Sequence, residues 1–138
     1  MYQNRVIIDL SIRQIKNKQV HSTGGKLMVS QLINSKGNPT LNQFVLTDGK
    51  TIGFQSYNSL VCEIRGRGMG FDNNIVLGRD YDYSRTTMKY LIQFLEQNGF
   101  TDLDSIKAVR DAIDHTERYG HVKLNGQECV VWIDDTMH

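Results

Sequence analysis

Two stretches of this 138-residue sequence carry side chains that could hold an anionic partner. The first is Arg65-Gly66-Arg67-Gly68-Met69-Gly70, in which two guanidinium groups sit on a glycine-rich backbone. Guanidinium groups bind phosphates and carboxylates in a forked geometry, so a docking loop is one interpretation. The segment is not a nucleotide-binding phosphate loop, because its glycines alternate and no Lys-Ser or Lys-Thr pair follows them. A solvated loop that needs glycine for its turns is the alternative.

The second stretch lies between residues 79 and 90, where tyrosines are interleaved with basic residues. This composition is typical of protein-binding hot spots and also of surfaces that stack on nucleobases. Alternatively, at least one tyrosine packs under a sheet while the arginines pair with Asp80 and Asp82. From the two stretches we predict a partner-binding surface made of Arg65, Arg67, Arg79, Tyr81, Tyr83 and Arg85.

Acidic side chains are the first candidates for metal binding. Asp80 with Asp82, and Asp134 with Asp135, are carboxylates close enough in sequence to share a divalent cation. Neither pair fits a calcium-binding loop, which needs acids at several fixed offsets. Helix capping and surface exposure explain such residues without a ligand. The sequence therefore predicts no metal site.

The two cysteines are candidates for a nucleophile or a disulfide. Cys62 and Cys129 each lie in an apolar, strand-like run, so we expect reduced, buried thiols in a cytoplasmic protein. A bridge between them, and a nucleophilic pair of Cys62 with His115, both stay open at this point. Cysteine and histidine spacings match no zinc motif. We predict no enzymatic activity and no cofactor.

The element that must position these groups is a helix over about residues 84–98. Met88, Leu91 and Leu95 recur at three- and four-residue spacing and so share one face. Ser84 can cap the first turn, and Gly99 can adopt the left-handed conformation that ends a helix.

Other apolar runs predict the remaining elements. Strands are expected over residues 6–12, 27–33, 44–46, 51–54 and 75–77, and residues 60–64 should form another strand or a short buried element. The Asp48-Gly49 pair predicts a hairpin turn, as does Asn125-Gly126 within a closing hairpin over about residues 122–132. A second helix should open at residues 100–102, be capped by Asp102 or Asp104, and end near residues 119–120. Residues 134–138 are predicted to be frayed, and residues 21–25 to form a loop.

The order of these elements indicates the fold class. Strands come in hairpin-like pairs, followed by two helices and a last hairpin. We therefore predict a single α+β domain over residues 1–138, with a mostly antiparallel sheet and two helices packed on one face.

Composition narrows the range of partners. Sixteen basic and 15 acidic residues give a formal net charge of +1, which argues against binding nucleic acid by bulk charge. The sequence has no apolar run long enough to span a membrane, and its N-terminal residues do not resemble a secretory signal. We expect no contact with a membrane.

Three segments carry a resemblance to a known group of proteins. Phe54-Gln55-Ser56-Tyr57-Asn58-Ser59 is followed by Asp80-Tyr81-Asp82-Tyr83-Ser84-Arg85-Thr86-Thr87 and by Lys89-Tyr90-Leu91-Ile92-Gln93-Phe94-Leu95. Over roughly residues 40–98 the chain resembles small proteins of unknown function encoded by phages and plasmids of low-GC Gram-positive bacteria. The resemblance implies a mobile-element setting and brings no catalytic residues with it. Accessory proteins of that setting are often non-enzymatic inhibitors of host defence, anti-CRISPR proteins among them.

These observations lead to a functional hypothesis. We expect a non-enzymatic protein that binds and inhibits a host defence factor, in its most specific form an anti-CRISPR inhibitor of a CRISPR nuclease. The partner would be a host protein or a protein–nucleic-acid complex, with a possible nucleic-acid contact through the basic loop. The alternative is a small nucleic-acid-binding or regulatory protein.

Overall fold

The computed structural model describes residues 26–66 and 70–138. In these residues the chain forms seven strands and two helices. The strands are β1 (Met28–Ile33), β2 (Pro39–Thr47), β3 (Thr51–Ser56), β4 (Ser59–Arg65), β5 (Asn73–Gly78), β6 (Val122–Leu124) and β7 (Gln127–Asp134). The helices are α1 (Arg85–Gln97) and α2 (Ile106–Tyr119). The strand predicted over residues 6–12, the loop over residues 21–25 and Arg67 lie outside the described residues.

The described strands form one sheet in the order β1-β2-β3-β4-β5-β7-β6. Neighbouring strands are antiparallel, except that β5 and β7 run parallel, with Ile75 opposite Val131. A parallel pair needs a long crossover, and here the crossover contains both helices. The predicted α+β class, with a mostly antiparallel sheet and two helices packed against it, is confirmed.

Both predicted hairpin turns are confirmed, and their side chains explain them. The Asp48 carboxylate Oδ1 accepts from the amides of Lys50 (2.9 Å) and Thr51 (3.0 Å), while Gly49 takes a φ of 93°. Asn125 and Gly126 have φ values of 49° and 82°, the left-handed pair that suits a two-residue turn.

The helices pack on one face of the sheet and enclose the larger core. The rings of Phe54 on β3 and Phe94 on α1 stack with their centroids 5.6 Å apart. Cys62, Leu77 and Val131 come from neighbouring central strands and lie in the same cluster. The apolar stripe of α1 therefore packs against apolar central strands of the sheet, as predicted.

The opposite face of the sheet, which neither described helix covers, has a smaller cluster formed by Leu27, Leu46, Leu60, Val76 and Met137. The predicted fraying of residues 134–138 is wrong, because Met137 is fully buried there. The Asp134 carboxylate Oδ1 accepts from the Thr136 amide at 2.9 Å, which turns the chain back toward the sheet. The Met137 carbonyl then accepts from the Arg79 amide at 3.1 Å. One apolar side chain and one local turn thus dock a segment that is otherwise polar.

The predicted cap of α1 is confirmed, whereas that of α2 is not. Ser84 caps α1, its Oγ accepting from the Thr87 amide at 3.1 Å. The predicted cap of α2 is wrong, because Ser105, not Asp102 or Asp104, accepts from the Ala108 amide. Asp102 has another role: its Oδ2 accepts from the Asn125 amide at 2.6 Å and so ties the loop before α2 to the β6–β7 turn.

Gly78 ends β5 at the tightest backbone packing around a described glycine. A Cβ added there would lie 2.5 Å from the Leu60 carbonyl oxygen and 2.7 Å from that of Met137. Both neighbours are main-chain atoms, so neither can rotate away. The end of β5 is therefore held between β4 and the C-terminal segment, and only glycine fits there.

We predict that Gly78→Ala lowers the free energy of unfolding by about 3 kcal/mol, because the added methyl group displaces two backbone segments. Denaturant unfolding followed by circular dichroism measures the loss. The matched control is Gly66→Ala, where the nearest atom to an added Cβ is 4.0 Å away. That variant should stay within about 0.5 kcal/mol of wild type. Equal stabilities for the two variants would show that the contact at Gly78 is not tight.

Candidate binding surface

The three described arginines of the predicted surface do not converge. Arg65 ends β4, where its guanidinium contacts Glu63 Oε1 at 3.0 Å and lies 5.8 Å from the centre of the Trp132 ring. Arg65 pairs with Asn74, whereas Arg79 follows the far end of β5, so at ~3.3 Å per residue they are roughly 16 Å apart along the strands. Arg85 opens α1. A single patch that includes Arg65 and the other two is not formed.

Arg79 and Arg85 remain candidates for contact with a partner. Both side chains are exposed, and no ion pair joins either of them to another residue within 26–66 or 70–138. Asp82, which could have paired with them, instead contacts Arg110 on α2 at 3.1 Å. The charge of these two arginines is therefore available at the surface.

The tyrosines of the predicted surface separate into one buried and one exposed residue. Tyr81 is 6% exposed and packs in the helix-side core, so it supports the surface from beneath. Tyr83 is 81% exposed. The alternative that one tyrosine packs in the core therefore describes Tyr81, while Tyr83 has the exposure that a contact residue needs.

Tyr57 is a surface residue that the sequence reasoning did not single out. It lies with Asn58 in the two-residue turn between β3 and β4 and is 53% exposed. Its φ is 54°, which is rare for a bulky side chain. The Tyr57 amide donates to the Asn42 carbonyl at 2.7 Å, and Gln55 Nε2 donates to the Tyr57 carbonyl at 2.8 Å. Residues 56–59 interrupt two apolar runs with mostly polar side chains. This pattern is typical of a tight turn and could have revealed Tyr57.

Tyr57 and Tyr83 border a concave site that we call the tyrosine cavity. It has a volume of about 200 Å³ and is lined by Ser56, Tyr57, Ser59, Val61, Asp80, Tyr83, Ser84 and Thr87. A β-bulge helps to form it, because Phe54 pairs with Cys62 and Gln55 with Leu60, which leaves Val61 unpaired. The cavity thus lies where a strained turn, a bulge and the start of α1 meet.

Hydroxyl groups and one carboxylate give the tyrosine cavity its chemistry. Asp80 is its charged lining residue. Ser84 Oγ and Thr87 Oγ1 lie 3.0 Å apart and share a hydrogen bond. Ser56 is 4% exposed, and its Oγ is buried without a hydrogen-bond partner in the described parts of the chain. Buried hydroxyls are normally paired, so Ser56 can still offer a hydrogen bond to a group that enters.

A larger depression of about 410 Å³ lies at the other end of the sheet. Its polar lining comes from neutral side chains such as Asn73, Asn125 and Gln127, and Asn73 Nδ2 already donates to Gln127 Oε1 at 2.9 Å. It is more open and has no charged lining residue. We therefore take the smaller tyrosine cavity as the better candidate site.

The two thiols lack the features of a nucleophile. Cys62 is fully buried, and burial raises the pKa of its thiol far above the ordinary value, with the Glu63 carboxylate adding to the effect. Both cysteines are free, which confirms the expectation of reduced, buried thiols. His115 is exposed on α2, where its Nδ1 lies 2.8 Å from the His121 carbonyl oxygen. In the described residues no hydrogen bond joins a thiol to an imidazole.

The described residues also lack a metal-binding cluster and a membrane-spanning helix. There, no group of three or more histidine, cysteine or acidic side chains is arranged to hold a metal ion. Neither of the helices found there has the length and apolar character needed to cross a membrane.

Comparison with known proteins places this fold in a family. A model of the family of unknown function DUF8033 matches residues 27–110, which is more than half of the chain. The chain belongs to the DUF8033 family. The matched segment runs from β1 into α2 and includes every residue that lines the tyrosine cavity. No curated protein and no solved structure is significantly similar to this DUF8033 protein.

The positive φ of Tyr57 should make this position tolerant of glycine. Glycine adopts a positive φ without steric cost, so Tyr57→Gly should leave the free energy of unfolding unchanged or raise it by up to about 1 kcal/mol. Tyr83→Gly is the matched control, because Tyr83 is also exposed and its φ is not positive. That control should lose about 0.5–1 kcal/mol, since glycine there only adds entropy to the unfolded chain. Thermal and denaturant unfolding of both variants measures the difference. Equal losses would mean that Tyr57 is not strained.

Proposed function

We propose that this protein is a non-enzymatic accessory protein of a mobile genetic element that binds and inhibits a host defence factor in the cytoplasm. The specific form of the proposal is an anti-CRISPR inhibitor of a CRISPR nuclease. The observation that carries it is the tyrosine cavity, where two exposed aromatic rings from different elements border one concave site.

Exposed tyrosines at such a site favour a protein partner. Tyrosine contributes a large apolar ring and a polar hydroxyl while losing little rotamer freedom, and it is enriched where binding energy concentrates. The turn that presents Tyr57 uses a backbone conformation that costs stability, at 54° in φ. Strain of this kind is typical of functional sites, where it fixes a side chain in position before a partner arrives.

The mobile-element setting rests on the resemblance to phage- and plasmid-encoded proteins over roughly residues 40–98. The family model covers that region and brings no activity with it. A small inhibitor needs a partner surface and no reactive group. The buried thiol of Cys62 and the absence of a metal cluster in the described residues are compatible with such a role.

The test is binding and cleavage with a purified type II CRISPR nuclease loaded with guide RNA. We expect the wild-type chain to bind the complex and to lower its rate of DNA cleavage. Tyr83→Ala should weaken binding by roughly 10–30-fold, since truncating a hot-spot residue costs about 2 kcal/mol. Tyr119→Ala is the matched control, because Tyr119 is a tyrosine exposed at the end of α2, beside β6, the last strand of the described sheet on that side.

The control variant should bind within about twofold of wild type, as surface residues outside an interface do. Equal weakening by both variants would remove the tyrosine cavity from the interface. If the nuclease is not bound, and affinity capture from the host cytoplasm also recovers no defence protein, the proposal fails.

A second candidate, a small nucleic-acid-binding or regulatory protein, is favoured by the exposed Arg79 and Arg85 beside the tyrosine cavity. It predicts that affinity for single-stranded DNA falls steeply with salt, and that Arg79→Gln with Arg85→Gln reduces the salt slope by about 0.7 per lost phosphate contact. Arg65→Gln is the control and should leave the slope unchanged, because its guanidinium contacts Glu63 at the far end of β4. Fluorescence anisotropy of labelled DNA at several salt concentrations measures these slopes. If the anisotropy does not rise on addition of the protein at low salt, this candidate is excluded.

A further inference from the structure

We propose that the tyrosine cavity binds the side chain of an arginine. This proposal rests on the proposed function in one respect: the arginine would belong to the partner protein. Four features of the cavity support this assignment: its charge, its two rings, its size and its open hydroxyl group.

The charge of the cavity favours a cation. Asp80 is its charged lining residue and forms no ion pair with any described residue. The Asp80 carbonyl accepts from the Tyr83 amide at 3.1 Å, so a tight turn holds the carboxylate and the ring on the same short segment. A guanidinium that entered would gain a charge-assisted hydrogen bond, whereas a phosphate would meet a carboxylate.

The N-terminus of α1 also borders the cavity and acts in the opposite direction. A helix N-terminus carries a partial charge of roughly +0.5, which attracts anions. Ser84 Oγ already accepts from the Thr87 amide at 3.1 Å, so one of the free amides is satisfied. Among the lining groups, the full negative charge of Asp80 exceeds the remaining partial positive charge; Arg79 and Arg85 lie beside the cavity and do not line it.

The two rings favour a cation that can stack. Tyr57 and Tyr83 are exposed, and no cation of the described residues lies over either ring, unlike Arg65 over Trp132 or Lys89 over Tyr90. Cation–π contact with an aromatic face contributes about 0.5–2 kcal/mol. A planar guanidinium stacks on such a ring and still directs its donors sideways, which an ammonium group cannot do.

Size and hydrogen bonding agree with a single side chain. The volume of about 200 Å³ lies below the range of about 300–1,000 Å³ that is usual for complete small-molecule ligands. Arginine has five N–H donors and no acceptor. Asp80 can accept from the guanidinium in the forked geometry, and the open Ser56 hydroxyl can accept one more donor.

The experiment is an NMR titration of the isotope-labelled full chain with N-acetyl-arginine methylamide. The neutral, nearly isosteric citrulline analogue is the matched probe. We expect weak, saturable binding of the arginine analogue, on the order of millimolar, with shifts at the amides of Tyr57, Asp80 and Tyr83. The citrulline analogue should bind roughly tenfold more weakly, since it lacks the charge that Asp80 recognises.

Variants test the assignment to the cavity. Asp80→Asn should weaken binding of the arginine analogue roughly tenfold, and Asp104→Asn, which removes an exposed carboxylate before α2, should leave it unchanged. Tyr83→Ala is a second test, because Tyr83 is 81% exposed and its loss does not threaten folding. Equal binding of the two analogues, or shifts that avoid the cavity, would overturn the proposal. Tighter binding of inorganic phosphate at the same amides would also overturn it, in favour of an anion site.

This outcome can be separated from that of the proposed function. Binding of the arginine analogue at the cavity stands whether or not a nuclease is inhibited. Conversely, if a host protein is bound equally well by wild type and by Asp80→Asn, the partner interface is real and the arginine assignment is wrong.

Discussion

The close backbone contact at Gly78 is the constraint on which the rest of this molecule depends. Strand β5 lies near the centre of the sheet, between β4 and β7, and its last residue is enclosed by the main chains of Leu60 and Met137. The chain can leave the sheet there only because no side chain occupies the space. The segment that follows carries Asp80 and Tyr83 and then starts α1. Gly78, which has no side chain, therefore determines where the chain leaves the sheet and where the candidate site lies.

The tyrosine cavity combines a buried, rigid floor with backbone features that lower stability. Its floor belongs to β4, whose residues are buried on both faces of the sheet, as Cys62 and Leu60 show. Two details are less favourable: Val61 on β4 is left unpaired by a bulge, and Tyr57 at the rim is held in a left-handed conformation. A fold under selection for stability alone would place glycine or asparagine at such a turn. The Tyr57 amide donates to the carbonyl of Asn42, which itself has a φ of 63°, and this bond helps to hold the turn in place.

The sequence predicts best those elements that local chemistry specifies. The start of α1 at Ser84 and the turn at Asp48-Gly49 both depend on side chains within four residues of the backbone they satisfy. The errors concern residues whose role is set across the fold. Asp102 looked like a cap and instead binds Asn125 in a distant turn. Met137 is one apolar residue in a polar segment, so its burial depends on a hydrophobic cluster built from strands far away in sequence.

The same distinction applies to the site. Composition identified Tyr83 and the arginines near it, because exposed aromatic and basic residues are recognisable by type. It could not separate Tyr81 from Tyr83, because the two residues have the same type and differ only in where the side chain lies. Tyr81 is buried in the core, and Tyr83, two residues later, is exposed to solvent. It also could not relate Tyr57 to Asp80, because they meet only through the pairing of β4 with β3 and β5.

Local charge, rather than net charge, then decides what the surface can recognise. A formal net charge of +1 describes a nearly neutral chain, yet its charged groups are distributed unevenly. Arg65 is paired with Glu63 at one end of the central strands, and Arg110 is paired with Asp82 beside α2. Asp80, Arg79 and Arg85 stay without ion pairs in the described residues, at the end where the tyrosines are exposed. A partner that places a cation over Asp80 and a carboxylate near the two arginines would match this pattern. A uniformly anionic partner such as a nucleic acid would match only half of it.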